Sequence, residues 1–249
     1  MKLTILGSGT AAPSLERNPA GYLLETGNKK LLFDSGAGTI RRLLELKIDL
    51  FSIGSIFYTH LHNDHINDLG AIIWSSNYGG KRKKQLSLYG PLGFKKYCII
   101  LINKLLKIRK LNFKISIKEL KKSPIRIGGI TIKAYPVKHS STAKSIAYGI
   151  EHQKKAFVYT GDTAYCNEAI RAAKNADVLL AECSFPGKMN VGGHLTPSSA
   201  GKLAAKANAR TLVLTHFYPE VLKTDIKGQC RKEFKGKIVL AKDKTSISI

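Results

Sequence analysis

The stretch Thr59-His60-Leu61-His62-Asn63-Asp64-His65 decides how the rest of the chain is interpreted. Three imidazoles and one carboxylate fall within six residues, directly after the apolar run Ser55-Ile56-Phe57-Tyr58. These side chains are the ligands that Zn²⁺ and neighbouring first-row metals prefer, and a strand that ends in a short loop can direct them into one small volume. The alternative is a polar loop with solvated histidines, but the chain has only seven histidines in 249 residues. The stretch therefore predicts a metal site.

Four residues of ligand type come where strand-like runs end. They are His60, His139, Asp162 and His216, and the runs are Ile56-Thr59, Ile132-Val137, Phe157-Thr160 and Thr211-Thr215. Taken singly, each could instead be a capping or hydrogen-bonded residue. In layered α/β proteins, however, functional groups gather where strands end in loops. We therefore expect the four residues to converge on one cleft.

Composition is that of an ordinary globular protein, with 43% hydrophobic and 8% aromatic residues. No apolar run reaches the length of a membrane span, and the start of the chain reads as a strand that runs into a glycine turn and not as a signal peptide. Cys98, Cys166, Cys183 and Cys230 are far apart, without the spacing of a metal site or the density of a disulfide framework. We expect free thiols in the reducing cytoplasm and no membrane association.

The net charge points to an anionic partner. Lys and Arg number 41 against 17 Asp and Glu, a balance of +24. The segment from Lys81 to Lys122, here called the basic segment, holds fourteen Lys and Arg and a single acid, Glu119. A lysine-rich composition spread over a solvated surface is the alternative. The clustering favours an anionic partner such as a nucleotide or RNA.

The pattern of elements predicts one domain spanning residues 1–249. Strands are predicted at 2–6, 21–26, 30–34, 86–89, 113–119, 125–127, 130–137, 146–151, 156–160, 177–182 and 211–215. Helices are predicted at 39–47, 66–76, 94–111 and 167–175, and one more begins at Thr196-Pro197, which is typical of a helix start. In the helix 94–111, the 3.6-residue period places Leu101, Leu105 and Ile108 inward. We expect two similar β-rich halves with helices outside.

The motif His60-x-His62-x-Asp64-His65, followed by His139, Gly161-Asp162-Thr163 and Thr215-His216, resembles the metallo-β-lactamase superfamily over nearly the whole chain. The resemblance implies an α/β fold, a four-layer αββα sandwich in a single domain, with two divalent metal ions. Zn²⁺ is the expected metal and Mn²⁺ the alternative. It further implies that His60, His62 and His139 hold one metal, that Asp64, His65 and His216 hold the other, and that Asp162 bridges both. Asp34 matches the buried acid that supports the histidine loop.

Within the superfamily, the chain is most similar to the ribonuclease Z-type phosphodiesterases. The similarity rests on Gly7-Ser8-Gly9-Thr10 with Arg17-Asn18, on Glu182, and on Gly193-His194-Leu195-Thr196. It implies that His194, paired with Glu182, is a general acid, and that Asp64 belongs to the catalytic residues. The alternative for His194 is a loop residue that packs beside a helix cap.

The resemblance implies a metal-dependent hydrolase that cleaves nucleotide or RNA phosphodiesters through a hydroxide bridging two metals. Two departures argue against tRNA maturation. Asp34-Ser35-Gly36-Ala37-Gly38 differs from the DCGEGTQ of the tRNA enzymes, and the 22 residues between His139 and Asp162 leave no room for their tRNA-gripping arm. The alternatives are a ribonuclease Z without that arm, a lactone, β-lactam or thioester hydrolase, and, ranked lowest, a non-catalytic nucleic-acid-binding protein. Enzymes of this type are often dimers, so a homodimer is a further expectation.

Overall fold

A computed structural model describes residues 1–80, 82–121, 123–142, 144–189 and 191–249, and within them the strands form two seven-stranded sheets. The first sheet has the order β14-β1-β2-β3-β4-β5-β6. Its strands are β1 (Lys2–Gly7), β2 (Gly21–Thr26), β3 (Lys29–Phe33), β4 (Ser55–Phe57), β5 (Leu86–Gly90), β6 (Ile115–Glu119) and β14 (Ser246–Ser248). The last strand of the chain thus returns to pair with the first, so the two sheets are not purely N- and C-terminal halves.

The second sheet has the order β13-β12-β11-β10-β9-β8-β7. Its strands are β7 (Ile125–Ile127), β8 (Ile130–Val137), β9 (Ser145–His152), β10 (Lys155–Tyr159), β11 (Val178–Glu182), β12 (Thr211–Thr215) and β13 (Lys237–Leu240). Each sheet has antiparallel hairpins at one end and parallel strands at the other. The parallel strands are β3 to β6 in the first sheet and β10 to β13 in the second. Because neighbouring parallel strands end at the same edge, their following loops lie together.

The helices are α1 (Thr39–Glu45), α2 (Asn63–Ile66), α3 (Asp68–Tyr78), α4 (Phe94–Ile100), α5 (Asn167–Ala173), α6 (Pro197–Lys206), α7 (Pro219–Leu222) and α8 (Ile226–Glu233). Thr196 caps α6 as predicted, its side chain accepting a hydrogen bond from the Ser199 amide. No helix in the described residues is both long and apolar enough to cross a bilayer.

The period-2 pattern of the strands separates two apolar layers. In β3, Leu31 and Phe33 face the layer between the two sheets, whereas Leu32 faces the layer beneath α1, α3 and α4. Phe33 packs edge-on against Tyr148 and Phe157 of the opposite sheet, with ring centroids 5.5 and 6.0 Å apart. Burying one such side chain stabilises the fold by about 1.5–3 kcal/mol. This layering confirms the predicted αββα sandwich.

The helix predicted over 94–111 is wrong beyond its first two turns. After α4, residues Leu101–Leu105 form a π-helical turn in which the Leu106 amide donates to the Leu101 carbonyl. The extra residue per turn rotates the apolar stripe, so that Leu105 is exposed while Leu106 packs against the core. Leu101 and Ile108 are buried as predicted.

Part of the basic segment is structural. Its ends, Lys81 and Lys122, lie outside the described residues, but Arg82 is buried. Its guanidinium donates to the Ser76 hydroxyl at 2.8 Å and to the carbonyls of Ile53 and Leu50 at 3.0 and 3.2 Å. Arg82 therefore supports the chain turn before β4 and cannot also bind an outside anion.

Replacing Arg82 by alanine is expected to lower the free energy of unfolding by about 2–3 kcal/mol, because buried carbonyls lose a charged donor. The exposed neighbour Lys83 is the matched control, and Lys83→Ala should change stability by less than about 0.5 kcal/mol. Urea unfolding of both variants measures the difference. Equal midpoints for the two variants would contradict the structural role of Arg82.

Candidate metal centre

The histidine stretch forms the loop after β4 and the short helix α2. His60 follows the strand, His62 precedes α2, and Asp64 and His65 lie within its first turn. A single helical turn places successive side chains at about 100° intervals, so it can turn Asp64 and His65 toward the same volume that His60 faces. The local fold therefore explains why these residue types occur at this spacing.

The first predicted ligand group comes together in space. The ligand nitrogens of His60, His62 and His139 all lie within 4.8 Å of one another. His139 comes from the loop after β8 in the second sheet, and its Nε2 is 3.1 Å from His62 Nδ1. Loops of both sheets therefore contribute to this group.

The second predicted ligand group also converges. His216, directly after β12, places its Nε2 3.3 Å from Asp64 Oδ2 and 3.2 Å from His65 Nε2. Asp64 is part of this cluster, as the resemblance implied, although its catalytic role stays a prediction.

Asp162 occupies the space between the two groups. Its Oδ2 is 3.4 Å from both His65 Nε2 and His216 Nε2, 3.9 Å from His60 Nε2 and 4.0 Å from His139 Nε2. The side chain is 3% exposed. One carboxylate thus faces imidazoles of both groups, which is the position that a bridging ligand requires.

Asp34 fixes the orientation of two imidazoles on the side away from the centre. Its Oδ2 accepts from the Thr59 hydroxyl at 2.9 Å, from His65 Nδ1 at 2.8 Å and from the Tyr159 hydroxyl at 2.7 Å. Since the Thr59 hydroxyl donates to Asp34, it accepts from His60 Nδ1, 3.0 Å away. Both imidazoles consequently carry a proton on Nδ1 and turn the Nε2 lone pair toward the site.

Two other imidazoles are fixed in the same way. His139 Nδ1 donates to the Gly193 carbonyl at 2.9 Å. His216 Nδ1 donates to the Ser184 hydroxyl at 2.9 Å, because that hydroxyl itself donates to Glu182. Their Nε2 atoms are therefore also lone-pair donors aimed at the centre.

This arrangement fits a divalent cation. Two Nε2 lone pairs face each other across 3.2 Å at His65 and His216, where neither can donate a hydrogen bond to the other in the neutral form. Among the described residues, buried His60 Nε2 and Asp162 Oδ1 have no hydrogen-bond partner. Buried polar atoms are normally paired, so this donor set suits a metal with nitrogen and oxygen ligands.

The electrostatics of the site favour added positive charge. Burial lowers the pKa of His65, but the carboxylates of Asp162 and Asp34 outweigh it and raise that pKa well above its ordinary value. Burial raises the pKa of Asp162, yet His216 and His65 hold it well below its ordinary value. Asp162 therefore stays ionised, and a proton and a metal cation compete for His65 Nε2.

Glu182 and His194 form the predicted pair beside the centre. His194 Nδ1 lies 3.1 and 3.0 Å from the two oxygens of Glu182, and it is 3.9 Å from Asp162 Oδ2. Burial lowers the pKa of His194, but the hydrogen bond and the charge of Glu182 raise it above its ordinary value. The structure thus brings together the seven predicted ligands, Asp34, Glu182 and His194.

The contacts of two supporting groups could not be predicted from the sequence. Ser184 links Glu182 to His216, and Gly193 offers its carbonyl to His139. Gly193 has φ of 82°, and a Cβ there would overlap the His139 carbonyl, so the position requires glycine. Ser184 lies two residues after Glu182, but nothing in the sequence signals its contact with His216.

Comparison with known proteins places this chain in a family. A family model described as Anti-Pycsar protein Apyc1 matches residues 1–238. Ribonuclease Z from Pyrobaculum aerophilum is 32% identical over 254 residues and covers 88% of each chain. The probable metallo-hydrolase YhfI of Bacillus subtilis is 27% identical over 250 residues and covers 97% of each.

Solved structures agree on the fold. The crystal structure of YhfI, a metallo-β-lactamase fold protein from Bacillus subtilis, matches with a TM-score of 0.87 at 24% identity, covering 99% of this chain and 98% of that one. Human tRNase Z, short form (ELAC1), matches with a TM-score of 0.82 at 24% identity, covering 100% and 99%. The resemblance drawn from the ligand motif is confirmed. The chain belongs to the Anti-Pycsar protein Apyc1 family, within the ribonuclease Z-like branch of the metallo-β-lactamase-fold, metal-dependent hydrolases.

Proposed function

We propose that this protein is a dinuclear metal-dependent phosphodiesterase that acts on nucleotide or RNA phosphodiesters. The observation that carries the proposal is the Asp162 carboxylate, which lies between two groups of imidazoles whose lone pairs face inward. The proposed ligands are His60, His62 and His139 for one metal and Asp64, His65 and His216 for the other, with Asp162 between them. Zn²⁺ is the proposed metal because it suits this donor set, and Mn²⁺ is the alternative.

Two divalent cations at this position would activate water near neutral pH and offset charge on the phosphoryl group. Residues of this chain fix the orientation of the proposed ligands. Asp34 and Thr59 hold His65 and His60 in the tautomer that leaves Nε2 free, and Ser184 does the same for His216. Fixed ligand orientation keeps the reacting groups in place without reorganisation during the reaction.

His194 is the proposed general acid. Glu182 accepts from Nδ1, so the proton for the leaving alkoxide is donated from Nε2, the nitrogen that Glu182 does not engage. The Glu182 carboxylate is itself held by the Thr163 amide at 2.6 Å and by Ser184. A positioned acid of this kind contributes about 10²–10⁴-fold to the rate.

The names of similar proteins support a phosphodiester substrate. Several relatives are named ribonuclease Z. Between His139 and Asp162 the described residues form only β9, a turn and β10, with no projecting arm. This favours nucleotides or short RNA over a folded tRNA, and the net charge of +24 would attract either.

We further propose that the protein is cytoplasmic and forms a homodimer. All four cysteines are buried and free, which suits the reducing cytoplasm. A homodimer is proposed from the resemblance alone, and light scattering of the purified protein would test it.

Removing metal is expected to abolish hydrolysis, and reloading Zn²⁺ or Mn²⁺ to restore it. Metal-stripped protein, reloaded with each ion separately, is assayed on bis(p-nitrophenyl) phosphate, cyclic nucleotides, 3′-extended tRNA, a lactone and a thioester. We expect phosphodiesters to be preferred. A preference for the lactone or thioester, or activity that survives complete removal of metal, would contradict the proposed function.

Asp34→Asn is expected to weaken metal binding about 10- to 100-fold, because the amide nitrogen cannot accept from His65 Nδ1 or Thr59. Asp225→Asn is the matched control: its exposed carboxylate caps α8, where asparagine serves equally well. Titration calorimetry with Zn²⁺ on the two stripped variants measures the affinities. Unchanged affinity in Asp34→Asn would exclude its orienting role.

His194→Ala is expected to leave metal content unchanged and to slow the hydrolysis of poor leaving groups most. The loss should reach about 10²–10⁴-fold for alkyl esters and be much smaller for p-nitrophenyl esters, which need no proton to depart. Metal analysis and a leaving-group series provide the measurement. Equal losses across the series would rule out the general acid.

A further inference from the structure

A cleft of about 900 Å³ adjoins the metal centre. It reaches from the predicted ligands His62 and Asp64 to Tyr218, and its rim carries the exposed amides of Asn63 and Asn67. This volume is within the usual range for small-molecule sites, about 300–1,000 Å³. A group attached to a phosphate at the metals would therefore enter a cavity large enough for a nucleoside.

Tyr218 lines this cleft and is backed by the ring of Phe185. The rings of Phe185 and Tyr218 are stacked, with centroids 4.4 Å apart and planes at 20°, and both side chains are half-buried. Phe185 meets His194 edge-on at 5.4 Å, and Tyr218 meets His216 at 6.0 Å. The two rings therefore border His194 and His216, and the Tyr218 side chain also lines the cavity.

The backbone around Tyr218 is anchored by hydrogen bonds, and its ring packs on Phe185. His216 has φ of 57°, so the chain turns sharply as β12 ends. The amide of buried Phe217 donates to the Ser8 carbonyl at 3.0 Å, and that of Tyr218 donates to the Ser184 carbonyl at 3.4 Å. A ring fixed before the ligand arrives loses little conformational entropy on binding, which raises affinity.

We propose that Tyr218, backed by Phe185, is the platform on which the nucleobase of the substrate stacks. The inference rests on the proposed function and deepens it, because it makes nucleoside phosphodiesters the preferred substrates. Every base has a π-face, and stacking on an aromatic side chain strengthens binding by about tenfold or more per base. The amides of Asn63 and Asn67 can both donate to and accept from a base or ribose edge.

Two substrates with the same leaving group test the platform. Thymidine 5′-(p-nitrophenyl phosphate) carries a base, and methyl p-nitrophenyl phosphate does not. The metal-loaded wild type is compared with Tyr218→Leu, Tyr218→Phe and Tyr78→Leu, the last being an exposed aromatic on α3 outside the cleft. The ratio of kcat/KM for the thymidine substrate to that for the methyl substrate is expected to fall about tenfold in Tyr218→Leu, mainly through KM. The ratio should stay within about twofold in Tyr218→Phe and Tyr78→Leu, since the former keeps the ring and the latter lies elsewhere.

Three outcomes would overturn the platform. An equal loss on both substrates in Tyr218→Leu would show that Tyr218 serves the reacting groups, and an unchanged ratio would show that no base stacks there. A ratio that falls as far in Tyr218→Phe would assign the effect to the hydroxyl.

If the wild type hydrolyses neither substrate, the proposed function fails. Equilibrium binding of thymidine 5′-monophosphate to wild type and Tyr218→Leu then decides the platform. About tenfold weaker binding to Tyr218→Leu supports the platform, and equal binding overturns it.

Discussion

The buried carboxylate of Asp34 is the constraint on which the site depends. It is fully buried and accepts hydrogen bonds from the Thr59 amide, the Thr59 hydroxyl, His65 and Tyr159. A buried charge is tolerated only when its hydrogen bonds are made, so none of these donors can move away without a large free-energy cost. Because Tyr159 belongs to β10 and Thr59 follows β4, the same carboxylate ties the two sheets together at the edge where the ligands meet.

A second buried carboxylate plays the matching part in the other sheet. Glu182, at the end of β11, binds the Thr163 amide, Ser184 and His194, and through Ser184 it orients His216. One acid therefore acts on a proposed metal ligand and on the proposed proton donor together. The loops thus carry the candidate ligands, and buried acids within the sandwich fix the orientation of those ligands.

Some basic residues are bonded within the protein, and the others are exposed on its surface. Arg17 donates to Ser8 and to a backbone carbonyl, Arg42 pairs with Glu45 and Asp243, and Arg82 holds the turn before β4. These arginines stabilise loops near the sheets. The attraction of a polyanion must therefore come from the exposed lysines and the other, exposed arginines, and the count of +24 overstates the charge that faces a partner.

The sequence alone was sufficient for most elements, because strand periodicity and helix caps are short-range patterns. It was sufficient for the fold class and the candidate ligands because the order of the motifs from His60 to His216 resembles a known superfamily. It could not predict the π-turn that exposes Leu105, since a single added residue per turn leaves no periodic signal. Nor could it show that Arg82 is buried, that Ser184 orients His216, or that Tyr218 faces the cleft. Those facts arise from contacts between residues distant in the chain, and only packing of the two sheets brings such residues within hydrogen-bonding or stacking distance.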